Sequence, residues 1–245
     1  MASRLVRPPS GSPPLAATPK LVVPTAGNPA SAKASGGEPD AGRTSRDATL
    51  ALARRLAALP CHVSADVEDG YDDAPGRVAD YVAELGVAGI NHEDSTGERL
   101  VPPAAHAAKL AAVKARVPAL FVNARVDTYW LGQDATVDMT LARAAAYVEA
   151  GADGIFVPGA TEPADLEVIC AAIPVPVNVL VVPGLSLERL AALGVRRVST
   201  GSLPYRRAVD AAVEVATSVR DSRPVPAATP YAEMQARLVR FRSHP

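Results

Sequence analysis

From residue 46 onward, short β-branched runs alternate with Ala-rich stretches whose apolar positions recur at helical spacing. Strands are predicted at 62–67 (HVSADV), 87–92 (VAGINH), 119–126 (ALFVNARV), 154–158 (GIFVP), 176–182 (PVNVLVV) and 196–200 (RRVST), with an earlier one opening LVVPTAGNPASAKAS at 21–35. Helices are predicted between them at 46–58, 75–85, 104–116, 136–150, 163–172 and 186–193. Ser45, Asp134 and Ser186 read as N-terminal caps, and Gly86, Gly151 and Gly194 as left-handed C-terminal caps. Strand, helix, strand at intervals of roughly 20–35 residues is the βαβ pattern of a parallel sheet.

Such strands build either a doubly wound sheet or a (β/α)8 TIM-type barrel. No GxGxxG follows an early strand, which removes the main support for a dinucleotide-binding sheet. Polar residues recur instead at the C-terminal ends of successive strands, where a barrel assembles its site from βα loops. The barrel is expected to be incomplete. Between Val23 and His62 there is room for one helix and no second β-branched run, and residues 27–44 carry Gly, Pro, Ser and Asp. Seven strands are therefore expected, with the second missing and a gap between the first and the one ending at Asp66. That gap would remove a pocket wall and weaken or abolish activity.

The organisation predicted is a disordered tail at 1–20, a barrel domain at 21–222, and a linker and helix at 223–245. In YAEMQARLVRFR (231–242), Met234, Leu238 and Phe241 share one helical face. The tail, MASRLVRPPSGSPPLAATPK, has no acid and lacks the apolar core of a signal peptide.

Composition narrows the partners. The chain has 245 residues, 48% of them hydrophobic, and a net charge of -1, enough for one domain with a sizeable core. Without a basic block there is no footing for nucleic acid. No apolar run approaches the ~20 residues that span a membrane. Cys61 and Cys170 make no disulfide framework or metal knuckle, and a reducing cytoplasm is expected.

The candidate chemistry lies in SADVEDGYDD, 64–73, where five carboxylates crowd the end of a strand. Residues i and i+2 of a strand share a face. Asp66 and Glu68 therefore pair on one strand, Asn91 and Glu93 on the next, and Asn123, Arg125 and Asp127 on the one after. Converging carboxylates repel unless a cation is present, and an all-oxygen set suits Mg2+ or Mn2+. Arg125 offers a planar fork for a carboxylate or phosphate. Together they read as a metal-assisted site for a small acid. The alternative is a ring of acids on solvated loops, with Arg125 in a structural ion pair.

Other polar residues take lesser roles. By parity His92 faces the helices, and His62 and His106 are read as structural. Cys61 falls at the barrel bottom and Cys170 in a helix core. Tyr129 and Trp130 either wall the pocket or pack, and Asn178 and Ser199 reach towards the substrate from later strands.

SADVEDGYDDAPGRVADYVAELGVAGINHEDS, VNARVDTYW, AYVEAGADGIFVPGA, VNVL and GVRRVSTGS together resemble the isocitrate lyase and phosphoenolpyruvate mutase superfamily, from about residue 40 to 220. The resemblance implies a (β/α)8 barrel, Mg2+, and homotetramers that exchange a C-terminal helix. It also implies cleavage of C–C or P–C bonds in 2-oxo or 2-hydroxy acids. Carried across by motif, Asp66 would contact the metal most directly, with Glu68 and Glu93 acting mostly through water and Asp40 a further acid nearby. Arg125, Glu93 and Asn123 become the candidate catalytic groups, and Arg125, Asn178 and Ser199 the substrate-binding ones. Gly70 would allow the turn, and Asp72 and Asp73 would form a solvated cap for the helix at 75. The chain departs from the isocitrate and methylisocitrate lyases of that superfamily at 95–104, STGERLVPPA, where those enzymes carry K-K-C-G-H; the mutase Asn-Ser-Leu lid is missing too. The first strand also lacks the W-D ending typical of the superfamily.

Overall fold

The computed structural model describes residues 21–23, 46–57, 59 and 61–242, the backbone alone at 21–23 and 241–242. The expected tail at 1–20, the loop 27–44, Asp40, Ser45 and the side chain of Phe241 lie outside this description. In chain order the elements are β1 (Leu21–Val23), α1 (Arg46–Ala57), β2 (Val63–Asp66), α2 (Pro75–Glu84) and β3 (Gly89–His92). A small hairpin follows, β4 (Ser95–Thr96) and β5 (Arg99–Leu100), then α3 (Pro103–Arg116), β6 (Phe121–Arg125), α4 (Thr128–Leu131) and α5 (Val137–Glu149). The chain continues through β7 (Gly154–Phe156), α6 (Pro163–Ala172), β8 (Val177–Leu180), α7 (Leu187–Ala192), β9 (Arg197–Ser199), α8 (Leu203–Arg220) and α9 (Tyr231–Arg242).

Seven strands form one parallel sheet in the order β1-β2-β3-β6-β7-β8-β9, an incomplete TIM-type barrel. The strand number is as expected, but the gap is not where the sequence placed it. Leu21, Val22 and Val23 register directly with Val63, Ser64 and Ala65, so β1 closes onto β2. One helix suffices for a parallel crossover between adjacent strands, and the remaining units simply close up. The edges among the described residues are β1 and β9.

Strand parity separates two buried faces. Ala65, Val67, Ile90, Val122, Ala124, Ile155, Val177 and Val179 point outward and are buried against Val78, Val82, Leu110, Val113, Leu166 and Ile169 of the helices. The alternate positions, Asp66, Asn91, Asn123 and Asn178, are buried on the inner face. An interior lined with polar groups is the precondition for a site there.

Helix starts follow two devices. Helices α2, α3, α6 and α8 carry Pro75, Pro103, Pro163 and Pro204 in the first turn, where the missing N–H would have had no partner. Helix α7 is capped by Ser186, whose Oγ accepts from Arg189 N at 3.2 Å. At α5 the cap is Thr136, accepting from Met139 N at 3.3 Å, rather than Asp134, which sits two residues earlier in a left-handed turn at φ 49°.

Helix α8 has no counterpart in the sequence prediction. Only its Ser218 is buried, while Val209, Val213, Val215 and Val219 face solvent, so no inward apolar stripe marks it. Among the described residues, no helix is long and apolar enough to cross a membrane.

Candidate active site

The acids are delivered by a sharp reversal after β2. The strand ends at Asp66, and Glu68 lies beyond it in a left-handed conformation, φ 49°, with its amide donating to Asp66 Oδ1 at 3.1 Å. Parity therefore does not place Glu68; the turn does. Gly70 closes that turn at φ 91°, and a Cβ there would lie 2.6 Å from Val78 Cγ1, so no larger residue fits. Asp72 Oδ1 accepts from Ala74 N at 2.8 Å and Oδ2 meets Arg77 Nε at 2.7 Å, steadying the approach to α2, while Asp73 is exposed. Of the five crowded acids, Asp66 and Glu68 are thus buried at the mouth and Asp69 and Asp72 brace the loop; the cap position of α2 is Ala74, with no side-chain cap from Asp72 or Asp73.

Register aligns the other residues. Asp66 stands beside Asn91 and Asn91 beside Asn123, whose Nδ2 donates to Asn91 Oδ1 at 2.8 Å. One row further along the strands, Arg125, Phe156, Asn178 and Arg197 are neighbours in turn. Arg125 pairs through Nη1 with Glu93 and through Nε with Asp127 at 2.5 Å. Its guanidinium lies 5.6 Å from the Trp130 ring centroid and 5.8 Å from that of Phe156. Trp130 is therefore at the mouth, whereas Tyr129 turns away to donate to Asp165 Oδ2 at 2.8 Å.

A buried network holds this pair from behind. Asp127 Oδ2 accepts from Ser95 Oγ at 2.6 Å, and Asp127 N donates to Asp94 Oδ1 at 2.8 Å. Asp94 Oδ2 in turn accepts from Arg143 Nη1 at 2.9 Å and Tyr147 OH at 2.7 Å. The sequence reading misses Asp94 and Arg143, which lie 49 positions apart and meet only in the fold.

The electrostatics are those of too many acids for one cation. Glu93, Asp127 and Asp66 surround Arg125, and Glu68 adds its charge to Glu93. Burial raises the Asp66 and Glu93 carboxyls, with Arg125 opposing and the neighbouring acids adding to the shift. Glu68 is pushed up to about 7 by burial, then by Asp66 and Asp69. Burial works against the charge of Arg125, yet Glu93, Asp127 and Asp66 together hold its pKa above the ordinary value. Glu68 Oε1 is buried without a hydrogen-bond partner. These features fit a divalent cation. Among the described residues no three acids, histidines or cysteines are gathered as a ready ligand set.

The other candidates separate as parity requires. His92 faces the helices, its ring 4.7 Å from that of His106, which packs 4.5 Å from Tyr147; burial lowers both imidazoles, His92 to about 4. His62 is exposed. Cys61 and Cys170 are free and half-buried, and Cys170 packs against the core. Asn178 and Ser199 do face inward, and so does Arg197, which the sequence reading leaves out although it is two residues before Ser199 and shares its face.

STGERLVPPA forms the β4–β5 hairpin, turning on Gly97 and Glu98 with φ of 55° and 60°. It is pinned by Ser95 to Asp127, by Thr96 to Asp69, and by Gln133, whose Nε2 donates to Glu98 O at 2.8 Å.

A family model described as phosphoenolpyruvate phosphomutase matches residues 22–220. An uncharacterized protein of Mycobacterium tuberculosis is 55% identical over 207 residues, covering 84% of this chain and 80% of that one. Oxaloacetate decarboxylase of Pseudomonas aeruginosa is 36% identical over 173 residues, 64% of this chain and 58% of that enzyme, so the match spans less than two thirds of its length. Among solved structures, a candidate lyase/mutase from Burkholderia cenocepacia superposes with a TM-score of 0.77 at 35% identity, over 89% of this chain and 82% of that one. Phosphonopyruvate hydrolase in complex with oxalate and Mg2+ gives a TM-score of 0.73 at 27% identity, over 91% and 84%.

Proposed function

Since this chain belongs to the phosphoenolpyruvate phosphomutase family, we propose that it is an Mg2+-dependent lyase- or mutase-like enzyme of C–C or P–C bonds. Its substrate would be a small 2-oxo or 2-hydroxy carboxylic acid, cleaved through an enolate-type intermediate. The observation that carries this reading is the mouth where Asp66 and Glu68 are buried and Glu93 half-buried, all three with raised pKa values, and Glu68 Oε1 has no partner.

In this reading Asp66 would hold Mg2+ (or Mn2+) most directly, Glu68 and Glu93 would act mostly through water, and Asp40, outside the described residues, would be a further acid. The ion, when bound, supplies the charge that stabilises a developing enolate. Arg125 presents Nη2, which no described residue engages by hydrogen bond, to the substrate carboxylate. Glu93 and Asp127 fix the plane of that fork. Asn123, tethered to Asn91, orients the acid from below. The relatives named oxaloacetate decarboxylase and phosphonopyruvate hydrolase support oxo-acids as the substrate class.

The test is a screen of oxaloacetate, phosphonopyruvate, methylisocitrate and substituted malates for pyruvate release, with Mg2+ and with EDTA. Turnover of at least one acid, lost with EDTA and in Asp66→Ala, is the expected result. A folded protein inactive on all of them would favour the second reading, a catalytically impaired barrel kept as an assembly subunit. That reading draws on the exposed Val213 and Val219 of α8 and Met234 and Leu238 of α9, which fit association of copies through the C-terminal helix.

A further inference from the structure

Among the described residues three arginines reach into the interior or core, and two of them are compensated. Arg125 meets Glu93 and Asp127, and Arg143 meets Asp94. Arg197 makes no ion pair among the described residues, and its Nη2 is buried without a hydrogen-bond partner. An uncompensated guanidinium inside a protein is among the costlier groups a fold can keep. Beside it in register is Asn178, 1% exposed, with Nδ2 and Oδ1 both lacking partners. Such orphaned polar groups need an explanation, and grouped on one inner wall they share one.

We propose that Arg197 and Asn178 form a second anion subsite that takes the distal carboxylate or phosphonate of the substrate. The subsite rests on the function proposed above and deepens it by naming Arg197 as the residue that holds the distal anion. Arg197 is in the same row as Arg125, with Phe156 and Asn178 between them on the intervening strands. The two arginines therefore share one row of the inner face, three strands apart. Asp66 lies within electrostatic reach of both, its charge favouring the charged form of Arg125 and of Arg197. Arg125 can orient an anion but contributes little net positive charge, because two carboxylates already sit on it. Arg197, which no described carboxylate pairs with, supplies positive charge, and its planar fork with the Asn178 amide matches the oxygens of a carboxylate or phosphonate. Ser199 Oγ accepts from Gly201 N at 3.3 Å, which leaves its hydroxyl proton to donate into the same wall.

The test compares L-malate with L-lactate, which share the 2-hydroxy-carboxylate end and differ at the distal carboxylate. Each is titrated calorimetrically into the full chain with Mg2+ present, with 3-phosphonolactate as a third ligand. Malate or phosphonolactate should bind at least about tenfold more tightly than lactate; whichever is tighter identifies the distal group. Arg197→Met should bring the ratios to within about twofold of one, leave lactate binding unchanged, and hold or raise the Tm of the unliganded protein. A merely structural arginine would lower that Tm. Wild-type ratios near one, weak binding of all three included, or ratios retained in Arg197→Met would overturn the subsite. The two readings fail separately: Arg197-dependent ratios without turnover would leave the subsite standing and remove the activity, and Mg2+-dependent turnover with indifferent ratios would do the reverse.

Discussion

The Arg125 pair depends on a buried post, and a double-mutant cycle on Asp94 and Arg143 weighs it. Asp94 is fully buried and accepts from the Asp127 amide, the Arg143 guanidinium and the Tyr147 hydroxyl. Arg143 is buried as well and also donates to Val101 O at 3.0 Å. Arg143→Met leaves the Asp94 charge buried without its cation, and Asp94→Asn leaves the guanidinium without its anion. Breaking a buried pair from one side costs about 3–5 kcal/mol. Removing both charges avoids the orphaned ion, so the double variant should be more stable than additivity allows by about 2 kcal/mol or more. Urea unfolding at 25 °C followed by circular dichroism measures all four proteins. Tyr147→Phe is a softer probe, since it deletes one hydrogen bond worth about 1 kcal/mol. Trp130, the one tryptophan of the chain, lies against Arg125 and reports the site directly. Its emission should change in Asp94→Asn, because that variant loosens Asp127 and with it Arg125. Additive losses within about 0.5 kcal/mol, with unchanged Trp130 emission, would refute the coupling.

Arg125→Lys keeps the charge but cannot bridge Glu93 and Asp127 in one plane, so any activity should fall at least about tenfold, or ~1.4 kcal/mol; unchanged kinetics would reduce Arg125 to a strut. His106 gives a pH signature. Its pKa is held well below 6.5 by burial, then by His92, Lys109 and Arg143, so the unfolded chain takes up the proton first as pH falls. Stability contributed by this site is therefore full above the unfolded value and lost as pH drops below it, by up to ~1.4 kcal/mol per pH unit. Urea unfolding of His106→Leu at pH values from 7 to 5 should show a slope shallower by that amount, and equal slopes in the two proteins would contradict it.

What the sequence made legible was whatever lies on regular elements. The helix predicted at 163–172 is α6 to the residue, and parity correctly sent Asp66, Asn123 and Arg125 inward and His92 outward. The same parity that selects Ser199 also selects Arg197, and only the habit of reading arginine as a surface residue hides it. Past the strand ends the rule fails, because Glu68, Gly97, Glu98 and Asp134 adopt left-handed conformations that alternation does not encode. Strand count could be read from the β-branched runs, but adjacency could not, and β1 pairs with β2 where a gap was expected. The Asp94–Arg143 contact joins distant positions through packing alone. Helix α8 keeps its valines outside, so its pattern carries no inward stripe to read.

The central claim is that Asp66, Glu68 and Glu93 are a metal site, and a Mg2+ titration of Tm tests it most directly. A ligand at about 100 times its Kd stabilises the folded state by about 2.7 kcal/mol, or roughly 5–10 °C for a domain of this size. The wild type should rise by that order. Asp66→Ala should show no rise with Mg2+, while its metal-free Tm stays level or increases, because one buried carboxylate has left a repelling cluster. An equal rise in Asp66→Ala, or none in the wild type, would contradict the account.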